Sequence, residues 1–359
     1  MLQHIQILRF AAAMWVALLH VQGLPFFAQL PPLLQQIAAG GYAGVDIFFV
    51  ISGVIMARST AGMPQGWRAA LRFGLIRFSR IYTGWWPALL LFLAVLGAAH
   101  RLPPNVDLIA SALLYPTNFT HHISPVIWTL VFELYFYALI AASLLLPPAW
   151  RDRTLGLLFA ALVLSIGYHH AQQRFAPEMF EQAGWLLMLY ASPLVAEFLL
   201  GYFLYRFVQA HPRQRWGLWA AAALALGACA VVFAQRFVVH EPGLSGFFHW
   251  PERALLVGTA ATALVGMALA LPEPRGRVLL ALARLGDYSF AIYLLHMLVY
   301  ACLALLWAAL PAALQLRAPM TLLALTLVVL ASALYYHWVE HPLYLLCRNQ
   351  ISRWLAPRP

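Results

Sequence analysis

The sequence predicts an all-α polytopic membrane protein with about ten transmembrane helices and both termini in the cytoplasm. Three observations carry that prediction. Of 359 residues, 63% are hydrophobic and only 9% are charged, against roughly 25% charged in soluble domains. The apolar residues form continuous runs near the ~20 residues that a hydrocarbon core of ~30 Å requires, without the period-two alternation of barrel strands. The basic residues, all 22 of them arginine, gather in alternate connecting segments.

Taken in order, the expected spans are 5–22, 42–58, 83–99, 126–146, 154–169, 185–207, 214–234, 252–271, 288–310 and 319–337. The first lacks the basic leader and small-residue cleavage site of a signal peptide. Segment 103–119 is moderately apolar but interrupted by Pro103, Pro104, Asp107 and Pro116, and is expected to be re-entrant or interfacial. With the N-terminus inside, cytoplasmic segments hold Arg58, Arg68, Arg72, Arg77, Arg80, Arg151, Arg153, Arg206, Arg213, Arg215, Arg275, Arg277, Arg284, Arg348, Arg353 and Arg358. Outer segments hold only Arg101, Arg174, Arg236, Arg253 and Arg317, which is the positive-inside pattern. Residues 1–345 are expected as one integral-membrane domain and 346–359 as a short cytoplasmic tail.

Several classes are excluded or disfavoured. Three widely spaced cysteines, Cys229, Cys302 and Cys347, give neither a disulfide framework nor zinc-ligand spacing. The net charge of +10 comes from arginines flanking apolar runs, so membrane lipids are expected partners and nucleic acid is not.

Ionisable residues inside spans are expensive and usually functional. Arg9 and His20 in the first span are eleven residues apart, which leaves them about 20° apart on one helix face and about 16 Å apart along it. Arg9 reads as a snorkelling anchor or a functional cation, and His20 as an interfacial histidine or a base. Asp46 near the outer end of the second span and Glu133 in the fourth are expected at a depth comparable with His20. Either could hydrogen-bond its imidazole, fix its tautomer and stabilise the imidazolium, as a general base requires. Either could equally be satisfied by backbone or hydroxyl groups for structure alone.

On the cytoplasmic side, loop 58–82 carries five arginines and no acid, and ends in Arg77-Phe78-Ser79-Arg80. Arg77 and Arg80 share a face if that stretch is helical, and guanidinium groups suit phosphate oxygens. Topology and anionic lipid account for Arg58, Arg68 and Arg72. His296, two turns into the ninth span, is either a packed core histidine or a substrate contact. Glu340 is placed for a structural ion pair with an arginine such as Arg9 or Arg80. The adjacent pairs His121-His122 and His169-His170 do not face each other on a helix, and no spacing supports a metal site. Glu197 is buried within its span, with no partner evident in the sequence.

These residues together resemble the acyltransferase-3 family of integral-membrane acyltransferases. Ile5-Gln6-Ile7-Leu8-Arg9 followed by His20 is similar to the family's opening Arg-x10-His motif, and Gly44-Val45-Asp46-Ile47-Phe48-Phe49-Val50-Ile51-Ser52-Gly53 to its second-span signature. Arg77-x-x-Arg80-Ile81-Tyr82, Trp128-Thr129-Leu130 with Glu133, the Tyr288-Ser289-Phe290 to His296 run and Val339-Glu340-His341-Pro342 follow in the family's order. Thr83 stands where the family usually has proline, and Thr129 where serine is common. The C-terminal extracytoplasmic hydrolase-like domain of some members is not expected.

The resemblance implies transfer of an acyl group, commonly acetyl, from cytoplasmic acyl-CoA to a sugar hydroxyl of a surface or lipid-linked polysaccharide at the bacterial inner membrane. The implied partners are acyl-CoA, a glycan or lipid-linked oligosaccharide acceptor and a polysaccharide-synthesis complex; no metal is required. His20, Asp46 and Glu133 would be catalytic, with His20 acting as general base or as an acyl-histidine nucleophile. Arg9, Arg77, Arg80 and His296 would hold the donor. A transporter or flippase is the alternative that buried charges also fit, although the hydropathy pattern shows no inverted repeat.

Overall fold

A computed structural model describes residues 3–28, 31–117, 121–172, 192–237 and 251–355, and among them there is no β-strand. Among the described residues, eight stretches are long and apolar enough to cross a membrane: 3–21, 32–60, 67–98, 125–143, 216–233, 251–270, 277–309 and 317–354. The fifth and sixth expected spans are helices too, at Pro148–Ala171 and Pro193–Ala210. The start of the expected 185–207 span and the residues 173–191 lie outside the described residues.

The chain divides into two compact units. One contains residues 1–8, 45–74 and 132–275, the other residues 9–44, 75–131 and 276–359. In chain order the helices that matter are α1 (Gln3–Val21), α2 (Pro32–Ala39), α3 (Ala43–Thr60), α4 (Trp67–Ala98), α5 (Leu108–Leu113) and α6 (Trp128–Ser143). They are followed by α7 (Pro148–Ala171), α8 (Pro193–Ala210), α9 (Trp216–Phe237) and α10 (Thr259–Ala270). Last come α11 (Arg277–Leu285), α12 (Ser289–Ala309), α13 (Arg317–Tyr335) and α14 (His341–Trp354).

Two boundaries differ most from the sequence expectation. The arginine-rich stretch expected as a loop before residue 83 is helical from Trp67 onward, within α4. Arginine is a good helix former, so a charged stretch carries the helix on past the apolar run. At the other end, α13 passes through a π-helical stretch Tyr336–Glu340 into α14, so most of the expected tail is helix.

In the first unit, α3 and α8 cross with backbone against backbone. A methyl group on Gly53 would run into the carbonyl of Phe198, and one on Gly201 into the carbonyl of Val50. Small residues permit such approach where lipid offers no hydrophobic drive for helix association. Beside the crossing, Phe136 of α6 stacks on Phe198 with ring centres 4.1 Å apart, and Phe49 meets Phe136 edge-on at 5.3 Å. Polar ties complete the contact: Arg151 donates to the Thr60 carbonyl at 3.2 Å, and Asp152 accepts from Tyr202 at 2.9 Å and Arg206 at 2.5 Å.

In the second unit, α12 is tied to α1 by Tyr300, whose hydroxyl donates to the Ala17 carbonyl at 2.8 Å. Thr321 of α13 accepts from the Ala28 amide at 2.9 Å and donates to the Phe26 carbonyl at 3.1 Å, fixing the chain that leaves α1. The segment expected to be re-entrant or interfacial contains α5, a short helix capped by Asp107, which accepts from the Ala110 amide at 2.8 Å. Three side chains of α4 donate to its carbonyls: Trp85 to Ser111 at 2.7 Å, Trp86 to Ala112 at 3.0 Å and Tyr82 to Leu113 at 2.8 Å. The free carbonyls of a helix end are thereby satisfied without water.

Gly53→Ala should lower stability by about 2–3 kcal/mol, because the obstructing atoms are backbone and cannot turn aside. Gly97→Ala, where a methyl group meets nothing within 4 Å, should be neutral or slightly stabilising. Thermal unfolding of both variants in detergent micelles checks the pair.

Candidate functional site

In the second unit the two histidines singled out in the sequence meet. His20 lies on the last turn of α1 and is half-buried, whereas His296 on α12 is fully buried. Their Nδ1 and Nε2 atoms, respectively, are 3.2 Å apart, with ring centres at 5.0 Å. His20 Nδ1 also lies 2.9 Å from the Val16 carbonyl, and His296 Nδ1 lies 3.1 Å from the Ile292 carbonyl. Tyr293 and Tyr300 lie against the His296 ring at 5.9 Å each, one helical turn before it and one after.

Residue counting along the two spans sets His20 and His296 at different depths, whereas their contact puts the two rings at one level. Counting residues from the ends of two spans assumes equal heights and no tilt, and transmembrane helices are commonly tilted. The Nδ1 nitrogen of His20 faces the Val16 carbonyl and the His296 ring.

Around Tyr293 the hydroxyl groups form a chain. Thr129 donates to the Tyr293 oxygen at 2.8 Å, and Tyr293 donates to the Val126 carbonyl at 2.7 Å. The threonine that replaces the family's usual serine at residue 129 keeps the hydroxyl that this contact uses.

Also in this unit, Arg80 Nη1 lies 2.7 Å from Glu340 Oε1, and Glu340 is fully buried. The Arg80 guanidinium packs over Phe290 at 5.6 Å and Tyr344 at 5.3 Å, and Arg9 acts electrostatically on the same carboxylate. Residue 84 has to be glycine for this arrangement, since a Cβ there would meet Phe290 at 2.5 Å and Glu340 Cγ at 3.4 Å. Arg77, one turn earlier on α4, is half-buried. The three arginines expected to bind the donor thus share a unit with the histidine pair, and one of them is held by Glu340.

The first unit holds the two remaining candidates. Asp46 is bound in a bidentate ion pair by Arg253, Nε to Oδ1 at 3.0 Å and Nη2 to Oδ2 at 2.7 Å, with both side chains essentially inaccessible. Glu197 of α8 is fully buried beside this pair and interacts with both members. Glu133 accepts the Ser52 hydroxyl on both carboxylate oxygens, at 3.0 and 2.9 Å.

Arg253 and Ser52 were not singled out by sequence reasoning. For Arg253 a signal existed: it opens the eighth expected span at its outer end, the level at which Asp46 opens the second. A π-helical stretch, Ala254–Gly258, follows Arg253 directly; such distortions occur frequently at functional positions. Among the described residues, no group of three or more His, Cys, Asp or Glu could hold a metal ion.

Comparison with known proteins agrees with the motifs. The family described as an acyltransferase domain matches residues 2–337. The chain is similar to "Exopolysaccharide production protein ExoZ" of Rhizobium meliloti (strain 1021), with 33% identity over 273 residues, covering 71% of this chain and 75% of the relative. No solved structure matches.

Removing one partner of a buried ion pair leaves an uncompensated charge, at a cost of about 3–5 kcal/mol, whereas replacing both by apolar groups can be neutral. Arg253→Met should therefore destabilise the protein by that amount, and Asp46→Leu combined with Arg253→Met should recover most of the loss. Unfolding midpoints of the two single variants and the double variant check this.

Proposed function

Because the chain belongs to the acyltransferase-3 family, matched over residues 2–337, we propose that it moves an acetyl group from acetyl-CoA to a sugar hydroxyl of an exopolysaccharide or its lipid-linked precursor. It acts as a multi-pass protein of the cytoplasmic membrane. The polysaccharide assignment draws on the name of the relative in Rhizobium meliloti. The observation that carries the reading is His20: a half-buried imidazole held on its Nδ1 side by Val16 and His296, in the same unit as Arg9, Arg77 and Arg80.

In the proposed reaction, Nε2 of His20 takes the proton of the sugar hydroxyl as its oxygen attacks the thioester carbonyl. The C–S bond then breaks, the ester is formed, and the departing thiolate receives the proton to leave as CoA thiol. A route through an acyl-imidazole uses the same nitrogen as nucleophile. Arg77, with Arg80 and Arg9, would bind the phosphates of the donor through paired guanidinium donors, and Glu340 would hold Arg80 in place for them.

Asp46 and Glu133 take a different role here from the one expected for them. Asp46 and Ser52 lie six residues apart on α3, about 9 Å along the helix. The pairs Asp46–Arg253 and Ser52–Glu133 would then anchor that helix at two levels.

His20→Ala should lower transfer by about 10²–10⁴-fold, the usual contribution of a positioned acid–base group, with acetyl-CoA binding retained. Arg77→Ala should raise KM for acetyl-CoA about tenfold with kcat little changed. Purified protein, labelled acetyl-CoA and base-stripped polysaccharide from the producing cells measure both. If the intact protein neither binds nor consumes acetyl-CoA while polysaccharide export fails in cells lacking the gene, a transporter is the correct reading.

A further inference from the structure

We infer that His296 is a positioning residue that, with the Val16 carbonyl, accepts the Nδ1–H of His20 and leaves its Nε2 bare, filling with a neutral imidazole the place a carboxylate takes in acid–base triads. The inference rests on the reading of His20 as the reacting group.

It follows from which atoms can donate. A backbone carbonyl only accepts, so the nitrogens facing the Val16 and Ile292 carbonyls, Nδ1 of His20 and Nδ1 of His296, each carry a proton. A neutral imidazole has one N–H and one lone pair, so Nε2 of a neutral His296 is an acceptor. It lies 3.2 Å from His20 Nδ1, whose single proton is then shared between the Val16 carbonyl and His296. The remaining nitrogen of His20, Nε2, is left with its lone pair.

Two imidazolium rings would place N–H against N–H across the same 3.2 Å, so the pair accommodates one extra proton at most. When Nε2 of His20 accepts a proton, the Nδ1–H that His296 already receives becomes a charge-assisted bond.

His296 is itself oriented from both sides. Tyr293 and Tyr300 pack on its ring at 5.9 Å, and their hydroxyls are fixed on the Val126 and Ala17 carbonyls. A ring flip, which would put Cδ2 in the place of Nδ1 and Cε1 in the place of Nε2, is opposed by these two packed aromatic groups.

Two substitutions separate the acceptor from the bulk. His296→Gln keeps an amide oxygen that can accept from His20 Nδ1–H; His296→Leu does not. His296→Leu should lower kcat at least 30-fold with KM for acetyl-CoA within twofold, and His296→Gln should recover at least a third of wild-type kcat. The double variant His20→Ala/His296→Leu should be no slower than His20→Ala alone, as residues acting as one unit behave.

Nitrogen NMR of protein labelled at histidine, with the His20 signals identified by their loss in His20→Gln, reads the tautomer without any substrate. A pyrrole-type Nδ1 and pyridine-type Nε2 are expected in the wild type and in His296→Gln; in His296→Leu the Nδ1–H, left to the Val16 carbonyl alone, should show a weaker hydrogen bond as a displaced Nδ1 signal. A wild-type His20 protonated on Nε2, or a His20 Nδ1 signal unmoved by His296→Leu, overturns the inference. So does equal activity of the Leu and Gln variants in protein whose unfolding midpoint matches wild type. If instead His20→Ala transfers acetyl normally while the tautomer behaves as stated, it is the reading of His20 as base that fails.

Discussion

Lipid offers no hydrogen bonds, so a polar group inside the membrane has to find its partner within the chain. That constraint explains why polar contacts recur wherever these helices meet. Asp46 is closed by both donors of Arg253, Glu133 by Ser52, Glu340 by Arg80, and each imidazole of the histidine pair by a carbonyl of its own helix. Aromatic hydroxyl and indole groups do the same for exposed backbone, as with Tyr82, Trp85 and Trp86 on the carbonyls of the short helix 108–113. The helices themselves supply little specificity, since an apolar face fits lipid as well as it fits another helix. Which helix meets which is decided by these few polar pairs and by glycines such as Gly53 and Gly201 that let two backbones touch.

The division between what the sequence discloses and what it conceals follows from the same physics. Hydropathy depends only on composition within a window, so the spans around residues 43–60, 128–143 and 289–309 are readable directly, and they lie within a few residues of their expected positions. Ionisable residues within those spans are equally visible because they are rare. Their partners are another matter. The pairing of Asp46 with Arg253 spans 207 positions, and that of His20 with His296 spans 276. No local period carries such information; it depends on the tilt and stagger of helices that sequence spacing does not encode. Arg253 shows the difficulty: at the outer end of its expected span it reads as an interfacial residue, and only packing makes it buried.

The start of α4 was hidden for a different reason. A window that searches for apolar runs stops at Arg80, yet the backbone continues as helix back to Trp67. Arginine combines high helix propensity with a long aliphatic stem that can lie against apolar neighbours while its charge stays outside. Arg80 does this in part, packed between Phe290 and Tyr344 and ending on Glu340. The Arg-x-x-Arg spacing thus places both side chains on one face of a continuous helix, where a loop would leave them independent.

An imidazole in place of a carboxylate beside the base has an energetic logic suited to this setting. A carboxylate is charged whether or not the base is protonated, and burying it demands a permanent counterion, as Asp46 has in Arg253. Such a pair contributes little net stability once both ions are desolvated. A neutral imidazole avoids that cost in the resting state, when no charge is present on either ring. Its drawback is a weaker hold on the imidazolium, since it offers only a dipole. The Val16 carbonyl, 2.9 Å from the same nitrogen, offsets part of that weakness by adding a second acceptor. Two neutral acceptors on one N–H thus do what a single anion does in a water-rich active site, without an ion that the surrounding helices would have to neutralise.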